Sequence, residues 1–215
     1  MTRTVVLVSG GGANLQPLLD AAANGALPDT ELAAVISSAD GVHALDRARA
    51  AGVPVYLVER ALFPGAASFS AALLDKLRDL DAELVVCAGF AERLSYSLLR
   101  QFRNRVIGVQ PALFPAFCEH GARFDAVRAV EETLRAGARI TGATAYFFGE
   151  EDTGFGPVIV QQAVAVRPDD TPASLGERVM RLGEQPALTA AVQLFCAGRL
   201  SVEGGKVRIA PPAEP

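Results

Sequence analysis

Short runs of apolar, mostly β-branched residues alternate along the first half of the chain with stretches in which apolar residues recur every three or four positions. A strand covered on both faces has a near-continuous apolar sequence, and the three-to-four periodicity is typical of a helix with one buried face. The predicted strands are residues 5–8, 31–38, 54–58 and 84–88, and the predicted helices are 14–24, 42–51 and 68–79. This β-α alternation indicates a parallel, right-handed, doubly wound sheet.

The second half of the chain departs from that alternation. A strand at 106–109 leads into a segment that Pro111 and Pro115 should hold extended. Further on, two long apolar runs flank an acidic, glycine-rich loop and are expected to pair as a hairpin. The remaining predicted elements are a helix at 124–135, strands at 140–148 and 158–166, a helix from Thr171 to about residue 197 with a break near Pro186, and a hairpin at 200–209 around Gly204 and Gly205. The predicted fold class is therefore α/β, a mostly parallel Rossmann-like sheet of about seven strands with a C-terminal helix and a small hairpin.

The clearest candidate chemistry lies at residues 5–19, which read V-V-L-V-S-G-G-G-A-N-L-Q-P-L-L. Glycines follow a buried strand where the chain turns into a helix, and Asn14 is expected to cap that helix. Bare backbone N–H groups at a helix N-terminus favour an anion, above all a phosphate. The spacing matches neither a Walker loop nor G-x-G-x-x-G, which disfavours a dinucleotide. Close packing of the first β-α turn is the alternative use of these glycines.

Composition narrows the function classes. The 215 residues are half hydrophobic, with a formal net charge of −4 and no basic cluster, which argues against nucleic acid and against an anionic membrane as partners. The N-terminus shows no signal peptide and no segment is long enough to span a membrane, so a cytoplasmic location is expected. Three widely spaced cysteines and only two histidines, His43 and His120, predict no metal site. A small-molecule ligand is the expected partner.

Six stretches taken together resemble the phosphoribosylglycinamide formyltransferases of purine biosynthesis. They read V-L-V-S-G-G-G-A-N-L-Q, L-V-V-C-A-G-F-A-E-R-L-S, V-I-G-V-Q-P-A-L-F-P, I-T-G-A-T-A-Y-F-F, G-P-V-I-V-Q and A-G-R-L, in family order from about residue 5 to 209. The resemblance implies one domain over 1–215, with a phosphate-binding half at 1–104, an active-site and folate-site half at 105–198, and a hairpin and tail at 199–215. It implies a monomer or homodimer that uses 10-formyltetrahydrofolate and a phosphorylated substrate, glycinamide ribonucleotide.

The resemblance also assigns site residues. The substrate phosphate is expected at Gly10, Gly11, Gly12, Ala13 and Asn14, and Glu184 matches a family glutamate at the ribonucleotide site. The folate is expected beside Ala91, Glu92, Arg93 and Leu94, where relatives read G-F-M-R-I/V-L, so that Glu92 replaces the family's cation. A family arginine for the glycinamide end of the ribonucleotide corresponds to Ala66.

The catalytic stretch departs furthest from the family. Relatives read N-I-H-P-S-L-x-P, whereas this chain has Gly108 in place of the asparagine and Gln110 in place of the histidine. A glutamine amide can donate a hydrogen bond but is neither acid nor base near neutral pH. Asp152 is the candidate for the family aspartate, although two extra residues separate its glycine from the following proline. His120 is a second, weaker candidate for a proton carrier. The alternative is that His120 is a solvated histidine of a loop with no catalytic role.

Three functional hypotheses follow from these departures. The first is formyl transfer with an impaired or altered site. The second is a non-catalytic homologue that binds a phosphoribosyl ligand or has a regulatory role. The third is a different reaction of the formyl donor, such as hydrolysis with a base near Asp152.

Overall fold

The computed structural model describes residues 1–116, 126–149 and 155–212. The strands of the central sheet are β1 (Thr2–Val8), β2 (Thr30–Ser37), β3 (Val55–Leu57), β4 (Leu84–Cys87), β5 (Val106–Gln110), β6 (Ile140–Phe148) and β7 (Phe155–Ala165). They lie in the order β3-β2-β1-β4-β5-β6-β7. The first five are parallel, and β6 and β7 run antiparallel as a hairpin. The predicted seven-stranded, mostly parallel sheet is confirmed.

Helices cover both faces of this sheet. They are α1 (Gln16–Ala23), α2 (His43–Ala50), α3 (Ala66–Asp79), α4 (Tyr96–Gln101), α5 (Ala126–Arg135), α6 (Pro172–Val179) and α7 (Gln185–Cys196). A π-helical segment, Met180–Glu184, joins α6 to α7. The small hairpin of β8 (Leu200–Glu203) and β9 (Lys206–Ile209) follows, with positive φ angles at both glycines of its turn.

The alternation of side chains along β1 divides the core in two. Val6 and Val8 belong to an apolar cluster with α1 and α7, whereas Val5 and Leu7 belong to one with α3 and α4. Because successive side chains of a strand point to opposite faces, the apolar run Val5–Val8 of β1 requires helices on both sides. This arrangement leaves the C-terminal ends of the parallel strands as the exposed edge of the sheet, where ligands of such folds bind.

Local signals set several element boundaries. Thr171 caps α6, and its hydroxyl and that of Ser174 form a reciprocal capping box. Ser95 caps α4 by accepting the N–H of Leu98 at 3.3 Å. The six-residue α4 was not predicted, since so short a segment shows no clear periodicity. The second hairpin strand was predicted to start at residue 158, but pairing already begins at Phe155.

Candidate functional site

The predicted site segments lie at the ends of three neighbouring strands. Leu7 of β1 is paired with Cys87 of β4, and Cys87 is paired with Gly108 of β5. The glycine loop after β1, the segment after β4 and the end of β5 are therefore adjacent, within about two strand spacings, or roughly 10 Å. Two hydrogen bonds join the first two segments directly. The N–H of Ser9 donates to the carbonyl of Gly89 at 3.0 Å, and the N–H of Ala91 donates to Ser9 Oγ at 2.9 Å.

The carbonyl groups of the loop after β1 are bonded to the protein one after another. The carbonyl of Gly10 accepts from the N–H of Ala44, and that of Gly11 from Arg47 Nε at 2.9 Å. The carbonyl of Gly12 accepts the first N–H groups of the α1 turn, and that of Ala13 accepts from Gln185 Nε2 at 3.0 Å. Four consecutive peptide groups are thus held in fixed orientations.

These bonds determine where the amide groups of the loop point. In a trans peptide the N–H is directed opposite to the carbonyl of the same unit. Fixing the carbonyls of residues 10–13 therefore turns the N–H groups of Gly11, Gly12, Ala13 and Asn14 away from the protein groups that bind those carbonyls. Within the described ranges, none of these four N–H groups donates to a protein acceptor. Successive unpaired N–H groups of this kind form a concave site suited to an anion.

Asn14 does not cap the helix, contrary to the prediction. Helix α1 begins at Gln16 after Leu15, and Asn14 Nδ2 instead donates to Glu184 Oε2 at 2.9 Å. Its Oδ1 is buried and, in the described part of the protein, accepts no hydrogen bond. Burial raises the pKa of Glu184, and the hydrogen bond from Asn14 partly offsets that rise. The structure thus brings Glu184 to the glycine loop, 170 residues away in sequence.

The segment after β4 carries an ion pair at the same edge of the sheet. Arg60 Nε lies 3.5 Å from Glu92 Oε2, with both side chains about two-thirds buried. The Arg60 guanidinium also lies over the ring of Phe69, which stacks on Phe90. Glu92 is therefore balanced by a cation from the connection after β3. Ala91 is tied to Ser9 by its N–H, while Arg93 and Leu94 lie between it and the α4 cap.

Gly108 faces an aromatic cluster formed by Phe114, Tyr146, Phe148 and Phe155. A Cβ atom at Gly108 would lie 2.5 Å from Cε2 of Phe148 and 3.4 Å from the hydroxyl oxygen of Tyr146. Ring centroids within the cluster are 4.6 to 5.4 Å apart. The space that a side chain at position 108 would need is therefore filled by the edge of Phe148.

The segment after β5 is held by two polar side chains. Thr144 Oγ1 donates to the carbonyl of Ala112 at 2.7 Å and accepts the N–H of Phe114 at 3.1 Å. Gln161 Nε2 donates to the carbonyl of Phe114 and to Thr144 Oγ1. The segment turns, since the N–H of Ala112 donates back to the carbonyl of Gln110, so the predicted extended exit is wrong. The partly buried Gln110 is fixed at the last position of β5.

Asp152 and His120 lie outside the described residues. Phe155, the first described residue after Asp152, packs against Tyr146 and Phe114. Ala66, which the resemblance aligns with a family arginine, is the first residue of helix α3.

Comparison with known proteins identifies the family. The sequence matches the family model for formyl transferases over residues 2–192. The chain belongs to the formyl transferase family. The resemblance inferred from the motifs is confirmed, as is the fold class.

Solved structures of formyl transferases cover nearly the whole chain. Glycinamide ribonucleotide transformylase 1 from Symbiobacterium toebii is 35% identical, with a TM-score of 0.89 over 98% of this chain and 95% of that one. The phosphoribosylglycinamide formyltransferase from Coxiella burnetii is 30% identical, with a TM-score of 0.84 over 97% and 93% of the two chains.

One curated relative is much longer than this chain. The trifunctional purine biosynthetic protein adenosine-3 from Bos taurus is 33% identical over 208 residues, which are 95% of this chain. The chain spans about a fifth of the length of that relative, since the match covers 19% of it.

Several residues at this formyl transferase site were not found from the sequence. Arg47 looks like an ordinary solvated charge on α2, and Gln185 like the start of another helix turn. Both reach the glycine loop only through tertiary packing, so no local pattern could reveal them. Tyr146 and Phe148 read as core residues of a strand, although the tight approach to Gly108 places them at the candidate catalytic position.

Across residues 1–116, 126–149 and 155–212, no group of three or more His, Cys, Asp or Glu side chains could hold a metal ion. Every helix in those same ranges is too short or too polar to span a bilayer.

Proposed function

We propose that this chain is a phosphoribosylglycinamide formyltransferase that moves a formyl group from 10-formyltetrahydrofolate to the amino group of glycinamide ribonucleotide, at a reduced rate. The observation that carries the proposal is the set of four N–H groups from Gly11 to Asn14, which have no protein acceptor among the described residues and lie at the edge of a formyl transferase sheet. Such a loop favours a phosphate monoester, and the partly buried Glu184 beside it supplies an acceptor for sugar hydroxyls.

The arrangement supports a division of labour among the three strand ends. The phosphate binds the loop after β1, the pterin of the folate lies against the backbone of residues 91–94 after β4, and the amine attacks the formyl carbon near the end of β5. The attack forms a C–N bond and a tetrahedral oxyanion. Collapse breaks the bond to the folate nitrogen, which takes up the proton that the amine loses.

The expected rate follows from the residues at the end of β5. Gln110 has an amide that can donate to the oxyanion, whereas Gly108 offers no side chain. Losing one oxyanion donor typically costs about 10²–10³ in rate, and losing a general acid or base roughly 10²–10⁴. Because both losses affect one step, they need not multiply. Asp152 remains the proposed group that orients or carries the proton.

A steady-state assay with both substrates, run beside the Symbiobacterium toebii enzyme, tests this proposal. We expect transfer at least about 10³-fold slower than in that comparator. Equal turnover would refute the reduced rate, and no transfer above the uncatalysed reaction would refute the activity. Thermal shifts with glycinamide ribonucleotide alone and with a folate alone separate binding from chemistry, since a ligand of the folded state raises the Tm. A shift with the ribonucleotide but no transfer would point instead to a non-catalytic binding protein.

A further inference from the structure

Arg47 is an exposed side chain of α2 that makes two specific contacts with the loop after β1. Its Nε donates to the carbonyl of Gly11 at 2.9 Å, and its Nη1 donates to Gln16 Oε1, at the start of α1, at 2.8 Å. The guanidinium therefore bridges the loop and the helix that follows it. The next arginine on the same helix, Arg49, pairs with Asp46 instead.

Helix α2 packs tightly against this loop. Gly12 has a φ of +75°, and a Cβ there would lie 2.9 Å from Cα and Cβ of Ala44 and 3.2 Å from Cδ of Arg47. The N–H of Ala44 donates to the carbonyl of Gly10 at 3.2 Å. The stem of Arg47 thus lies over Gly12, and its guanidinium holds the adjoining peptide.

The loop needs such a contact because its glycines do not restrain the backbone. Gly10 and Gly11 have open space around their Cα atoms, so their peptide groups could rotate at little steric cost. Rotation of the peptide between Gly11 and Gly12 would turn the N–H of Gly12 away from a bound anion. A charge-assisted hydrogen bond to the carbonyl of Gly11 opposes that rotation.

We infer that Arg47 is a positioning residue for the phosphate of the substrate, one that fixes the N–H of Gly12 toward the anion before the ligand arrives. The inference rests on the proposed function, because it concerns the same phosphate site. It adds a residue from α2 to a site otherwise formed by the loop and by Glu184 of the π-helical segment. Pre-organisation of this kind lowers the ordering cost of binding.

Isothermal titration of glycinamide ribonucleotide into the full chain tests the inference. The Arg47→Met variant keeps the stem over Gly12 and loses both donors. We expect it to bind the ribonucleotide about tenfold more weakly, as for the loss of a charged hydrogen bond, and to bind a folate with unchanged affinity. Arg49→Met on the same helix is the matched control and should bind both ligands like the wild type.

The Arg47→Lys variant separates position from charge. A lysine restores the positive charge but cannot donate along two fixed directions, so we expect most of the tenfold loss to remain. In ¹⁵N-glycine spectra, inorganic phosphate should shift the Gly12 amide of the wild type and not that of Arg47→Met. This second measurement also shows whether the variant is folded.

The outcomes distinguish the two levels of proposal. If the wild type binds neither the ribonucleotide nor inorganic phosphate, the proposed function is overturned and this inference with it. If the wild type binds and Arg47→Met binds equally well, only the role of Arg47 is overturned. Full rescue by Arg47→Lys would likewise refute positioning, since charge alone would then account for the effect.

Discussion

Introducing at position 108 the asparagine that the resemblance implies should destabilise the protein rather than increase its formyl transfer activity. In Gly108→Asn, the new Cβ would lie 2.5 Å from Cε2 of Phe148. Two non-bonded carbon atoms do not approach so closely, so either β5 or the Phe148 ring must move. Phe148 is partly buried and packs on Tyr146 with ring centroids 5.3 Å apart, so displacing it loses contacts. Overpacking of this kind costs about 1–3 kcal/mol. In a domain of this size, a 2 kcal/mol loss lowers the Tm by roughly 4–8 °C.

The assay is urea unfolding of Gly108→Asn, Phe148→Val and the double variant. Since Phe148→Val makes room at the clash, the double variant should be more stable than the sum of the two single effects predicts, by about 1 kcal/mol or more. Gly65→Asn is the control, because Gly65 is an extended helix N-cap with nothing within 4 Å of its Cβ position. It should keep or raise the stability.

The same variants test the chemistry. Gly108→Asn with Gln110→His should not recover formyl transfer while Phe148 fills the space, and adding Phe148→Val should increase the rate. A wild-type Tm for Gly108→Asn, or additive effects in the double variant, would refute the steric reasoning.

Three further predictions concern other parts of the structure. Gly12→Ala should lose ribonucleotide binding and stability, whereas Gly25→Ala, with a similar positive φ but open space, should lose only a little stability, as titration and thermal melts would show. Because burial raises the pKa of Glu184, the folded state holds a proton that the unfolded state releases, so unfolding free energy should fall as the pH rises just above the usual carboxyl pKa. Glu184→Gln should remove that fall in denaturant titrations; an unchanged pH profile would count against it. Burial alone would raise the pKa of Asp170, but the Arg167 N–H, Ser174 and Arg178 hold it below its usual value. Stability should therefore fall as the pH drops through that lowered pKa, and Asp170→Asn should flatten the acid side of the profile.

The parallel sheet could be predicted because each of its central strands is buried on both faces and shows it as an apolar run. Local patterns predict only those parts of the site that are local, and Glu184 is assigned to it through the family resemblance alone. Glycines at 10–12 indicate an anion loop, but the choice of Glu184 as the partner of Asn14 depends on how α7 packs against α1, which no pattern near Asn14 contains. At position 108 the sequence has a glycine where the resemblance implies an asparagine, and the structure shows that Phe148 of β6 occupies the space a side chain would need.

The π-helical segment between α6 and α7 bears on how this fold tolerates change in length. A π turn holds one more residue than an α turn, so it rotates the side-chain directions of α7 by about 100° about the helix axis relative to those of α6. With that rotation, Leu175 and Val179 of α6 pack with Val130. Leu188 and Val192 of α7 pack with the sheet, although the two helices form one continuous helical segment. A deletion of one residue within Met180–Glu184 would give a regular α-helix with an uninterrupted series of backbone hydrogen bonds. The side chains of α7 would then face in the wrong direction. Glu184 would then turn away from Asn14, and the proposed ribonucleotide site would lose Glu184 while every residue of the glycine loop stayed in place.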